Sequence, residues 1–137
     1  MKVLFDSFVF LDLFLRQKGE ETAEKYLNDA AEGKTSTVVS SLCILEVKYH
    51  LLRKASEEKA LDAIEYIKSM PEIEIVEATT EICELAASIR NKYYSNERQL
   101  SFGDAVHIAT AIKSGCKKII TGDADFKNLE EIATEVY

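Results

Sequence analysis

The chain has 137 residues, with 24 acidic against 17 basic side chains and a formal net charge of −7. That length suits one domain spanning 1–137, and 47% hydrophobic residues exclude disorder of the low-hydrophobicity, high-charge kind. The negative balance argues against a protein that coats nucleic acid by bulk charge. It leaves open a protein that brings phosphate to metal ions.

The first segment, MKVLFDSFVFLDLF, is apolar but interrupted by Asp6 and Asp12. It matches neither a signal peptide nor a membrane span, so a cytoplasmic protein with no membrane association is expected. Lys2 to Phe5 reads as a buried strand that stops at Asp6. Phe8, Leu11, Phe14 and Leu15 then recur at helical spacing, which predicts a helix over 7–17 with that stripe turned to the core. A second, charged helix covers about 20–32 and stops near Gly33, and the β-branched run Thr35 to Val39 is strand-like.

Ser40 or Ser41 caps a third helix, in which Leu42, Leu45, Tyr49 and Leu52 form an apolar stripe expected to be buried. Ser56, followed by Glu57 and Glu58, opens a fourth helix that ends at Pro71. Ile73 to Val76 reads as a strand and Thr80 to about Tyr94 as a helix. Ser101 opens a sixth helix, with Ala105, Ile108, Ala109 and Ile112 facing inward and Gly115 closing it. Lys117 to Thr121 is a strand, Gly122 to Phe126 a turn, and Ile132 to Val136 a last strand. Strands alternating with helices predict an α/β class, a three-layer α/β/α sandwich around a mostly parallel sheet.

Cys43, Cys83 and Cys116 are odd in number and far apart, without a CxxC or Cys/His cluster. Reduced thiols are expected rather than a disulfide framework or a structural zinc site. Most of the 17 glutamates sit in solvated helical charge patterns such as Glu20-Glu21. Four carboxylates do not. Asp6 ends the first strand; taken alone it reads first as an N-cap, but it also stands where a ligand-binding group would, beyond a strand's carboxyl end. Glu46 lies beside the apolar stripe of the third helix, where it either pairs with His50 four residues on or is held by a metal.

Asp104 falls at N3 of the sixth helix, a capping-box position that also keeps a carboxylate ionised and oriented. Asp123 and Asp125 lie just past a strand in IITGDADF, where one serves the turn. Asp123, nearer the strand end, is the stronger site candidate and Asp125 the second. Four carboxylates held together would raise one another's pKa values. Divalent cations relieve this, and hard oxygen ligands suit Mg2+ or Mn2+. Such ions activate water and stabilise charge on a phosphodiester, so the expected chemistry is metal-dependent phosphodiester hydrolysis. The central strand should carry Asp6, with the strand before Asp123 beside it.

The sequence resembles a PIN domain, the small nuclease domain of VapC-like toxins, over essentially the whole chain. The resemblance rests on VLFDSFVFLDLF, on SSLCILEVKYHLL, and on LSFGDAVHIATAIKSG followed by KKIITGDADF. It implies a Mg2+- or Mn2+-dependent endoribonuclease with Asp6, Glu46, Asp104 and Asp123 as its acidic quartet. Ser7 and Thr121 match supporting positions, and Asp125 matches a more variable acid. The resemblance further implies an RNA substrate, a homodimer, and a small antitoxin whose C-terminal segment enters the site.

His107, one turn after Asp104, reads as a satisfied core or rim residue rather than a ligand, and His50 as a rim residue. Lys48, Arg53, Lys54, Lys113, Lys117 and Lys118 are candidate RNA-backbone contacts, with solvated helix ends the simpler reading of each. Tyr93 and Tyr94 could stack on bases but fit a dimer interface better. Two rivals remain. A haloacid-dehalogenase-type phosphatase also begins with a strand-end aspartate but needs D-x-D, and position 8 is Phe. An RNA-processing or non-catalytic regulatory module on the same fold is the other.

Overall fold

In the computed structural model, which describes residues 1–137, five short strands form one sheet. β1 (Lys2–Phe5) is its centre: β2 (Ser36–Ser40) and then β3 (Ile73–Val76) lie to one side, β4 (Lys118–Thr121) and then β5 (Ala133–Val136) to the other. Every neighbouring pair is parallel. The three inner strands carry the buried apolar runs Val3–Phe5, Val38–Val39 and Ile119–Ile120, as strands covered on both faces require, whereas the outer strands β3 and β5 interpose Glu74 and Glu135.

The strands' period of two divides the core. Val3 and Phe5 of β1, Val39 and Ile120 face one cluster, while Leu4, Val38 and Ile119 face the other. The first cluster is closed by α1 (Ser7–Phe14), α2 (Glu20–Ala31), α3 (Ser41–Lys54) and α4 (Glu57–Ser69). The second is closed by α5 (Thr80–Tyr93) and α6 (Phe102–Lys113). The result is the expected three-layer sandwich, with a sheet that is wholly parallel.

Local chemistry sets most boundaries. Ser40, Ser56, Thr79 and Ser101 each accept a backbone N–H of the first turn of the helix they precede, as N-caps do. Gly115 has φ 70° just past α6, the left-handed C′ position that glycine fills without strain. α1 is shorter than its apolar periodicity suggests, because the helix closes at Leu15 and Arg16 turns the chain with φ 52°.

Two helix faces differ from expectation. On α3 the buried residues are Cys43, Val47 and Leu51, whereas Leu45 is 61%, Tyr49 56% and Leu52 45% exposed. Both stripes are apolar and lie on adjoining faces of one helix, and α1 and α4 pack on the first. On α1 the fully buried apolar residues are Val9 and Phe10, while Phe8 is more than a third exposed. Cys43 is buried, Cys83 exposed and Cys116 half-buried, all as free thiols. No helix is long and apolar enough to cross a membrane.

Strand order reverses direction at β1, whose neighbours are β2 and β4. In open parallel sheets, ligands collect outside the carboxyl ends of the strands at such a switch point. The carboxyl ends of β1 and β4 lead directly into Asp6 and into Gly122-Asp123.

Candidate active site

Asp6 occupies the N-cap position of α1, yet its side chain makes no capping hydrogen bond. Its backbone N–H extends the ladder to the Ile120 carbonyl at 3.2 Å, which brings Thr121 alongside. The Thr121 hydroxyl donates to Asp6 Oδ2 at 2.7 Å and accepts the Asp123 N–H at 3.0 Å. One buried hydroxyl thus fixes Asp6 and starts the turn that presents Asp123. The Ser7 hydroxyl reaches Asp6 Oδ1 only at 3.5 Å, a long contact.

Asp104 completes a capping box. Its Oδ2 accepts the Ser101 N–H at 3.0 Å, and Ser101 Oγ accepts the Asp104 N–H at 3.0 Å. Asp123 behaves alike, with Oδ1 accepting the Asp125 N–H at 2.9 Å to open a 3-10 turn over Ala124–Phe126. The capping roles of these two acids therefore do not use up their carboxylates. One oxygen of each is tied to its own backbone, which fixes the rotamer, and the other has no partner within the chain.

Glu46 projects from α3 over the end of β1. Its Oε1 lies 2.5 Å from His107 Nε2, and that nitrogen is 3.6 Å from Asp6 Oδ1. A Cβ at Gly103 would stand 2.7 Å from Glu46 Oε2, so a larger residue there would push the carboxylate out of its present place. The sequence offered His50 as partner of Glu46, but the hydrogen bond to its carboxylate comes from His107 of α6. His107 is fully buried, as a core histidine should be. Its role at this cluster was concealed because the pairing spans 61 positions; its place one turn after Asp104 was the only local signal.

Asp6, Asp104 and Asp123 line one open cleft of about 280 Å3. Ser7, Gln17, His50 and Lys54 border it, and Phe8, Leu11 and Leu15 form its apolar wall. Glu46 is reached through Asp6 and His107. Burial pushes the Asp6 carboxyl above its ordinary range, with the Glu46 and Asp123 charges adding and His107 and Thr121 opposing. Asp104 is raised to about 6, first by burial, then by the charges of Asp6 and Asp123, against the Ser101 hydrogen bond. Asp123 is also raised, by burial and the neighbouring Asp125 charge.

Glu46 alone moves down. Burial would raise it, but the hydrogen bond and charge of His107 outweigh that, with Ser7 contributing. Burial lowers His107, and the Glu46 hydrogen bond with the Asp6, Glu46 and Asp104 charges overcomes it, for a net rise. Three carboxylates held above their ordinary range, first by burial and then by one another, are groups whose charged form a bound cation would favour. Ligand atoms of Asp6, Glu46 and His107 all lie within 4.8 Å of one another. Oxygen donors from several elements, with one oxygen of Asp104 and one of Asp123 left without a partner, fit a hard divalent cation such as Mg2+ or Mn2+.

The remaining candidates fall outside this cluster. Asp125 supports the turn through its backbone, whose N–H goes to Asp123 and whose carbonyl accepts Arg98 Nε at 2.8 Å. Lys113 pairs with Glu81 and Lys118 with Glu135, whereas Lys54 borders the cleft. Tyr93 is engaged by Glu131 and lies under Arg98. Asp12, 2% exposed, is a structural acid whose Oδ2 accepts the hydroxyl of the last residue, Tyr137, at 2.6 Å.

This fold recurs in solved structures at low identity. A VapBC2 complex from Rickettsia felis, bound to a promoter DNA fragment, aligns over 98% of this chain and 98% of its own, with TM-score 0.75 and 15% identity. VapC20 of Mycobacterium tuberculosis, described as a sarcin-ricin loop cleaving toxin, aligns over 90% and 92%, with TM-score 0.74 and 20% identity. FitAcB of Neisseria gonorrhoeae aligns over 96% and 95%, with TM-score 0.71 and 17% identity. No curated protein matches the sequence. The PIN domain profile matches residues 3–132, a span that runs from the first residues of β1 past the Asp123 turn, and the chain belongs to the PIN domain family.

Proposed function

We propose that residues 1–137 form one Mg2+- or Mn2+-dependent endoribonuclease domain in which Asp6, Glu46, Asp104 and Asp123 hold the metal. The carrying observation is that three acids from three separate chain segments converge on one cleft at the sheet's switch point, with Glu46 seated against Asp6. Divalent ions there would polarise the phosphodiester and ease deprotonation of water. The chain's own residues do the rest. Thr121 orients Asp6 and Asp123 together, the capping box holds Asp104 with Oδ1 free to orient water, and Lys54 at the rim meets the RNA backbone. Phe8, on the apolar wall, offers a face on which a base can stack.

The cellular role we propose is that of a cytoplasmic toxin in a type II toxin–antitoxin pair, acting as a homodimer. The exposed stripe of Leu45, Tyr49 and Leu52 on α3, on the helix that borders the cleft, supports an antitoxin segment as its partner. On the opposite layer, Arg90 is sandwiched between Tyr94 and the 77% exposed Phe102, 4.4 Å from each ring. Aromatic and arginine side chains of this kind support self-association.

Cleavage of a structured RNA in Mn2+ by wild type, Asp6→Asn and Asp104→Asn tests the activity. Wild type should cut and each variant should lose at least about 100-fold, the scale expected when an essential charge-stabilising group is removed. An inert wild type, or variants that cut equally well, would instead favour a non-catalytic binding module.

A further inference from the structure

We infer that His107 is a positioning residue of the site, holding Glu46 in the metal-binding arrangement without itself ligating the ion. The inference rests on the proposed metal site and concerns how its fourth acid is kept there. Glu46 stands on α3, in the helical layer on one face of the sheet, and His107 on α6, in the layer on the other. Their contact joins the two layers above the end of β1. Glu46 is otherwise the least restrained of the four acids. It belongs to no cap or turn, its side chain is 27% exposed, against 4% for Asp6, and beside His107 only the Ser7 hydroxyl, a smaller contributor, bonds to it.

A long carboxylate on a helix surface loses side-chain entropy when held in one rotamer, and a single strong contact decides whether it stays. His107 supplies that contact at 2.5 Å and is itself packed inside the protein, with no exposed surface. Gly103 blocks nothing on the other side, leaving room for Oε2.

The geometry separates positioning from ligation. Two atoms on adjacent corners of an octahedral Mg2+ site, each about 2.0–2.1 Å from the ion, stand about 3 Å apart. Nε2 and Oε1 are closer than that, so a hydrogen bond joins them; an ionised, metal-binding carboxylate can only accept, which puts the proton on Nε2 and leaves that nitrogen no lone pair for the ion. The other ring nitrogen, Nδ1, is buried with no partner. An unpartnered acceptor is cheaper to bury than an unpartnered N–H, which agrees with a proton on Nε2 donated to Glu46. A ligand carboxylate steadied by a neighbouring donor is a recurrent arrangement, and loss of such a donor typically lowers metal affinity by about 10- to 100-fold.

Mn2+ titration followed by electron paramagnetic resonance, with a thermal melt for each protein, tests this. The set is wild type, His107→Leu, His107→Gln, Glu46→Gln and the Glu46→Gln/His107→Leu double variant. Gln places an amide N–H where Nε2 stood. His107→Leu should bind Mn2+ about 10- to 100-fold more weakly, and His107→Gln should recover most of that. In the Glu46→Gln background the Leu substitution should add nothing, because its effect runs through Glu46. Mn2+-loaded wild type should show no directly bonded imidazole nitrogen coupling.

Wild-type affinity in His107→Leu, an undiminished further loss in the Glu46→Gln background, or a bonded nitrogen coupling in wild type would overturn the inference. If His107→Leu does not fold, His107→Asn, too short to reach Glu46, replaces it, and the wild-type spectrum decides independently. Failure of wild type to bind Mn2+, or unchanged binding in Asp6→Asn and Glu46→Gln, would instead remove the metal site, and this inference with it.

Discussion

Asp104 is a helix cap and a proposed metal ligand, and the two roles make different demands on its proton. As a helix cap it is better charged, yet burial and two neighbouring carboxylates raise it from the ordinary 3.8 to about 6. The folded, metal-free protein therefore binds this proton more tightly than the unfolded chain, so the stabilisation it gives is full below pH 3.8 and is lost as pH rises through about 6. Urea unfolding in chelator should show stability falling with pH across that window in wild type, and the fall should shrink in Asp104→Asn. A difference of opposite sign would contradict the arrangement. Protons and metal compete for the same oxygens, so Mn2+ affinity should rise over the same interval. Thr121 is the second residue on which much depends. Thr121→Val removes both a buried donor to Asp6 and the acceptor of the part-buried Asp123 N–H, and should lower unfolding free energy by about 1–3 kcal/mol and weaken Mn2+ binding together.

At the scale of elements, α3 presents two apolar stripes of unequal consequence. Leu51→Ala, in the core, should destabilise by about 2–5 kcal/mol. Leu45→Lys or Leu52→Lys, on the exposed stripe, should stay within about 0.5 kcal/mol of wild type by chemical denaturation. Equal losses at Leu45 and Leu51 would mean that the exposed stripe is packed. This helix also shows where sequence reading stops. Periodicity identified α3 and its cap, but Leu42, Leu45, Tyr49 and Leu52 are as apolar as Cys43, Val47 and Leu51, and only the packing of α1 and α4 chooses between them. Asp6 and Asp123 were readable as cleft residues because both follow strands whose neighbours the α/β pattern fixes. The Glu46–His107 pair was not, since no local rule joins two residues on different helices across the sheet.

At the scale of the whole molecule, the four proposed ligands carry more than half of the net charge of −7. Acidity that argues against a protein coating RNA electrostatically is concentrated where cations would neutralise it, and contact with RNA should then be local and weakly salt-dependent. The fold makes this possible by ending β1 and β4 side by side at the point where strand order reverses, so that chain segments over 100 residues apart meet in one cleft. The central claim, that this cleft cuts RNA only when it holds a divalent ion, is tested most directly by stripping the protein with EDTA and following cleavage of a structured RNA before and after Mn2+ is restored. No cleavage in EDTA and full recovery with Mn2+, absent in Asp6→Asn, is the predicted result. Cleavage that persists in EDTA, or that Asp6→Asn recovers equally, would contradict it.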